Sequence, residues 1–246
     1  MALCDQNCVA GLERFVNAAS DKKVAAVPGI EITAGYSGKE VHILGLFLKP
    51  CYFEKIKDYV KIIHERKQKS NIELAQRLNC AGININYSEI ADKADGLYIN
   101  RVDFAKAMVK LGYVESIDEA FEKYLDKKEF KVDTEKLSAF EVISFLKSVE
   151  ALPIIAHPFL NLTYDELLLF LPAAKKYGLA GMETNYSTYN NDQTTLAIEL
   201  AERFDLLKSG GSDYHGSNKN EIFLCIGRGN LAVPADYFEK MKASLS

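Results

Sequence analysis

The stretch from 152 to 212, LPIIAHPFLNLTYDELLLFLPAAKKYGLAGMETNYSTYNNDQTTLAIELAERFDLLKSGGS, decides the fold. Three apolar runs within it, 152–157 (LPIIAH), 179–186 (LAGMETNY) and 206–212 (LLKSGGS), predict strands. Between them, 163–177 and 191–204 carry apolar residues at helical spacing, and Gly178 stops the first. Strands alternating with helices imply a mainly parallel sheet with crossover helices, either an open doubly wound sheet or a barrel. An irregular tail and a final helix near 234–244 follow.

Toward the N-terminus, 24–33 (VAAVPGIEIT) and 40–48 (EVHILGLFL) are continuous β-branched and apolar runs separated by the turn-like AGYSG, and predict two buried strands. From 53 to 80 apolar residues recur at helical spacing among Lys, Glu and Arg up to Gly82, which predicts a long amphipathic helix. Short helical patterns fill 101–111, 117–125 and 138–149, with Ser138 as N-cap and Glu141 three residues on. No strand is expected between them. The domain reading is therefore a core of 1–82 and 141–246 with a small helical insertion at 83–140.

The chain has 246 residues, 48% hydrophobic and 26% charged, an ordinary globular composition that excludes a disordered or fibrous chain. A net charge of −4 provides no basic face for non-specific nucleic-acid binding, so nucleotide contact would need a local pocket. Five scattered cysteines without a C-x-x-C pair suggest neither a disulfide framework nor a thiolate zinc site. No stretch of about 18 apolar residues occurs, and no export signal is recognisable. The expectation is a cytoplasmic protein that does not engage a membrane.

Of the four histidines, His42, His157 and His215 lie in or just beyond predicted strands. In parallel α/β architectures the C-terminal strand ends build the active face, so residues from different strands can converge there. Adding Glu31 and Asp213 gives three imidazoles and two carboxylates, a ligand set suited to Zn, Mn or Fe. Such a cluster lowers the pKa of a bound water and neutralises phosphate oxygens. Each residue also has a bland reading: His42 and His157 as satisfied core histidines, Asp213 as a turn cap. His64 sits on the polar part of the long helix and is excluded as a ligand. Arg66 and Arg101 could grip a substrate phosphate, although surface arginines are the commoner explanation.

The ordered motifs PGIEI (28–32), HILGLF (42–47), IAHP (155–158) and GGSDYHG (210–216) resemble the PHP (polymerase and histidinol phosphatase) phosphoesterases. More closely, they are similar to the branch of nucleoside 3′,5′-bisphosphate phosphatases and 5′–3′ exoribonucleases. The likeness runs over essentially the whole chain and includes GMETNYS (181–187) and GRGNLAVP (227–234). It implies a distorted (β/α)7 barrel that holds up to three metal ions at its strand ends and hydrolyses phosphate esters of nucleotides or short oligonucleotides with metal-activated water. By the same resemblance Glu31 would bridge two metals, and His42 and His157 would complete the second. Asp213 would belong to the first metal and His215 to the third, with Asp5, Asp213 and His215 carrying catalysis.

The chain departs from that pattern. The family's opening strand with its His-x-His motif has no counterpart before Met1-Ala2-Leu3, so the barrel is expected to lack its first strand. In Cys4-Asp5-Gln6-Asn7 the family's Thr-Asp-His-Asp keeps its first Asp, while its His is Gln6 and its second Asp is Asn7. A further family His stands as Asp103. The position formed by Glu31, His42 and His157 keeps all its ligands, so fewer than three Mn, Zn or Fe ions are expected. The expected partner is a small phosphorylated substrate such as a nucleotide, with a dimer covering the exposed sheet edge. The alternative is a degenerate, non-catalytic PHP-fold module that binds nucleotide or phosphate.

Overall fold

The computed structural model describes residues 1–94 and 99–245; residues 95–98, inside the expected helical insertion, lie outside the described residues. Two compact units emerge, one made of Met1–Glu54 and the chain from Lys136 onward, the other of Lys55–Glu135.

The first unit is built on a six-stranded sheet in the order β1 (Ala2–Leu3), β2 (Val27–Tyr36), β3 (Lys39–Leu46), β4 (Leu152–Ile155), β5 (Gly181–Tyr186) and β6 (Leu207–Gly211). The sheet is mixed and curled into a half-barrel. β1 pairs with β2 and β4–β5–β6 pair in parallel, as alternating strands and helices predict, but β2–β3–β4 are antiparallel. The physical reason is the β2–β3 connection: Tyr36 pairs with Lys39, leaving only Ser37 and Gly38 between the strands. Parallel strands need a crossover of a dozen or more residues, whereas two suffice for a hairpin. Both have positive φ (49° and 76°), the type I′ geometry that matches strand twist.

Side chains alternate across β2. Ile30, Ile32 and Ala34 are fully buried on one face together with Ile43 of β3. The helix Ala139–Ser148 packs on β2, β3 and β4, burying Ala139, Val142, Ile143 and Leu146. Each of its large apolar side chains contributes about 1.5–3 kcal/mol by burial. Gly45 makes the approach feasible, since a Cβ there would meet Leu146 Cδ2 at 2.5 Å. The expected cap is present: Ser138 and Glu141 form a reciprocal capping box, Glu141 accepting the Ser138 N–H at 2.9 Å. Glu31 and Thr33 point to the opposite face of β2. There Leu44, Leu46, Leu152, Ile154 and Ala156 form a second core with Tyr237 and Met241 of the C-terminal helix Ala235–Ala243. Helices Tyr164–Tyr177 and Asn191–Arg203 provide the crossovers between β4, β5 and β6.

The second unit is helical, and among its described residues no strand occurs. It takes in most of the long helix Phe53–Cys80, followed by helices Tyr87–Ala94, Arg101–Lys110 and Ile117–Ala120. Leu78, Phe104, Met108 and Leu125 are fully buried in its own core. Asp103 completes a capping box with Asn100, accepting that residue's N–H at 2.9 Å. No helix of the described residues is long and apolar enough to cross a membrane.

Candidate metal centre

Strand register sets two of the three central side chains. In the β2–β3 hairpin Thr33 lies opposite His42 and Glu31 opposite Leu44, so Glu31 and His42 project from the same face one diagonal step apart. His157 follows β4, which pairs with β3, and the Ala156 N–H donates to the His42 carbonyl at 3.0 Å. Continued strand alternation would send His157 to the Ile155 face. Its backbone instead turns left-handed (φ 28°, ψ 53°), which brings the ring round to Glu31. Such a conformation in a non-glycine residue costs of order 1–3 kcal/mol and persists only where its surroundings impose it.

The result is a convergence of donors on one point. Glu31 Oε1 lies 2.7 Å from His42 Nδ1 and 3.1 Å from His157 Nε2, and the two nitrogens are 3.3 Å apart. Side-chain exposure is 9% for Glu31, 16% for His42 and 8% for His157, so water competes little. Burial works against the Glu31 charge, yet hydrogen bonds from His157 and His42 outweigh it and hold the carboxyl well below the usual carboxylate range. Burial likewise disfavours a charged His42, but its bonds to Glu31 and Glu40 prevail and its pKa is pushed up to about 9.

This geometry fits a metal ion. Without one, His42 must be an imidazolium, because Nδ1 faces Glu31 and Nε2 faces Glu40 Oε1 at 3.1 Å. A cation at the convergence point would take the lone pairs of both nitrogens and the carboxylate oxygen. His42 would then be neutral and donate its Nε2–H to Glu40, the carboxylate–histidine–metal arrangement that orients imidazole ligands. Among the described residues, Glu31, His42 and His157 are the group of three ligand-type side chains that gathers this way.

Two supporting carboxylates escaped the sequence reading. Glu40 stands two residues before His42, a spacing that puts both on one strand face. Glu183 of β5 is buried and accepts the His157 backbone N–H at 2.7 Å, pinning the strained residue. Burial pushes the Glu183 carboxyl up to about 7, against the nearby His157 and helped by the charges of Glu31 and Asp213. The signal available for Glu183 was a lone acid within an otherwise apolar predicted strand.

The remaining predicted residues fall into two groups. Asp213 and His215 follow β6, at the same end of the sheet: Tyr186, whose ring centroid is 5.3 Å from that of His157, donates its hydroxyl to Asp213 Oδ2 at 2.7 Å. His215 Nδ1 donates to the Asp213 carbonyl at 2.8 Å. Burial raises the Asp5 carboxyl, and the charge of His215 opposes that rise. Gln6 and buried Asn7 both donate to Thr33 Oγ1, at 3.1 and 3.0 Å, and Asn7 Oδ1 accepts the Thr33 N–H. Arg66 and Arg101 belong to the helical unit. There Arg66 pairs with Glu135, while Arg101 donates to the Leu125 carbonyl and to Asp126 Oδ1.

A curled mixed sheet that gathers a carboxylate and two imidazoles on one point is an arrangement suited to metal-assisted hydrolysis. Comparison with known proteins narrows this. The chain is 29% identical over 217 residues to a 5′–3′ exoribonuclease of Haemophilus influenzae, covering 87% of this chain and 78% of that protein. It is 26% identical over 221 residues to a 3′,5′-nucleoside bisphosphate phosphatase of Chromobacterium violaceum, covering 87% and 76%. Among solved structures, a metal-dependent phosphoesterase from Bifidobacterium adolescentis superposes with a TM-score of 0.82 at 24% identity, covering 98% of this chain and 84% of that one. An amidohydrolase from Chromobacterium violaceum with bound sulfate and no metal gives the same score at 22% identity, covering 98% and 85%. No protein-family model matches the chain. These relatives bear out the resemblance to PHP phosphoesterases read from the ordered motifs.

Proposed function

We propose that this chain is a phosphoesterase that hydrolyses phosphate esters of nucleotides or short oligonucleotides, using a divalent ion held by Glu31, His42 and His157. The half-barrel is read as part of a distorted (β/α)7 barrel. The observation that carries the proposal is the convergence on one point of three donors: Glu31 and His42 from within the β2–β3 hairpin, and His157 from just beyond β4. A divalent cation bound there supplies a water of lowered pKa and positive charge for phosphate oxygens.

The chain's own groups do the rest. Glu40 holds the Nε2–H of His42, which would leave Nδ1 free to bind an ion. Glu183 holds the backbone of His157 and, through it, the direction of Nε2. The Asp213 carbonyl can only accept, so His215 carries a proton on Nδ1 and its Nε2 is the nitrogen left for proton traffic with a leaving alkoxide.

The test is hydrolysis of a nucleoside 3′,5′-bisphosphate and of short oligonucleotides by the chain loaded with Mn, Zn or Fe. Turnover that disappears in His157→Ala is expected; a fully loaded chain without turnover refutes the proposal. A second reading, nucleotide binding without hydrolysis, is favoured by Gln6 and Asn7, whose amides are committed to Thr33. It predicts affinity for the same compounds by calorimetry with no product formed.

A further inference from the structure

One oxygen of the Asp213 carboxylate is already taken by protein donors. Its Oδ2 atom already receives the Tyr186 hydroxyl at 2.7 Å and the Lys219 ammonium at 2.6 Å. His215 lies within reach of its other oxygen, at 3.4 Å. The 3-10 turn Gly216–Asn218 folds Lys219 back onto the carboxylate four residues after His215. Side-chain exposure is 18% for Asp213 and 41% for Lys219, so the pair is half-sheltered with the ammonium on the open side. Among the described residues, neither Asp213 nor His215 joins any group of three ligand-type side chains.

We infer that Lys219 is a resident cation of this site: its ammonium stands at Asp213 where a second metal ion would sit, making a one-ion centre in which ammonium and ion grip the substrate phosphate together. The inference rests on the reading of Glu31, His42 and His157 as the ion's ligands. A dication and an ammonium cannot both crowd one carboxylate oxygen, since like charges about 4 Å apart repel strongly near a protein surface. An ammonium carries three donors, and Asp213 takes one of them, so others can be offered to a phosphate oxygen. Tyr186 links the two halves, its ring beside His157 and its hydroxyl on Asp213.

The test uses the whole chain. Wild type, Lys219→Ala and Lys219→Arg are saturated with Mn and freed of excess, and their metal content is measured. Inorganic phosphate is then titrated calorimetrically into each, with and without Mn. The expected result is a single ion per wild-type chain, a phosphate Kd about tenfold weaker in Lys219→Ala, and near-complete recovery in Lys219→Arg. Two ions in the wild type, with an anomalous Mn signal on Asp213, would overturn the inference. So would a phosphate Kd within about twofold of wild type in Lys219→Ala. If the wild type binds no ion, the metal reading fails by itself, and the phosphate titrations without Mn still decide for or against Lys219.

Discussion

The Glu31–His42–His157 cluster and the Asp5–Asp213–His215 group draw on the same ligand chemistry, yet they are built differently. The first is fixed by strand register and by backbone bonds between neighbouring strands, and its side chains are nearly dry. The second sits on segments outside the strands, is more exposed, and its carboxylate is already engaged by an ammonium and a phenol. Ligand-type residues alone therefore do not make a metal site. What distinguishes the first region is that its donors have nothing better to bind than one another, while the second has found protein partners.

The sharpest way to break this contrast is to remove a ligand from each side. His157→Ala or Glu31→Ala should weaken Mn affinity by more than roughly 100-fold, whereas Asp213→Ala should change it by less than about twofold, both read by calorimetry. Equal losses on the two sides would dissolve the distinction.

A second test uses pH. His42 has its folded-state pKa raised to about 9, above the ordinary 6.5, so the stabilisation its proton provides is fully present below the unfolded value and lost as pH rises through about 9. An ion must displace that proton. Metal affinity should therefore climb about tenfold per pH unit until near pH 9, and the melting temperature of the metal-free chain should fall over the same window while that of the loaded chain holds. An affinity flat between pH 6 and 9 would contradict the imidazolium assignment.

The smallest effect concerns the supports. Glu40→Gln and Glu183→Ala should each lower metal affinity by about 10-fold, with Glu183→Gln milder because an amide oxygen can still accept the His157 N–H. If Glu183→Gln is as damaging as the alanine variant, the carboxylate's charge matters more than its acceptor role.

Much of this was legible in the residues themselves. The Ser138/Glu141 cap, the long helix from Phe53 and the strand–helix alternation after Leu152 stand where local rules put them, because each depends on neighbours a few positions away. Residue type and strand placement named Glu31, His42 and His157 only within a wider set that included Asp213 and His215; which of the five converge depends on the hairpin register and the turn at His157. The antiparallel run β2–β3–β4 was not anticipated, since a rule drawn from the C-terminal half says nothing of a hairpin with a two-residue turn. Nor was the left-handed backbone of His157, as a residue before proline ordinarily favours an extended conformation. Lys219 was invisible for a different reason: a lysine in a polar tail declares no partner until the turn after His215 folds it back.

The two-residue turn at Ser37–Gly38 also bears on how the centre comes together in time. Glu31 and His42 are 11 positions apart, while His157 is 126 from Glu31. Hairpins close in about 1–10 μs, and contacts spanning most of a chain form later because their loop entropy must first be overcome. A folding chain thus presents a two-toothed chelate well before the third donor arrives. A metal ion captured at that stage would act as a nucleus on which β4 docks.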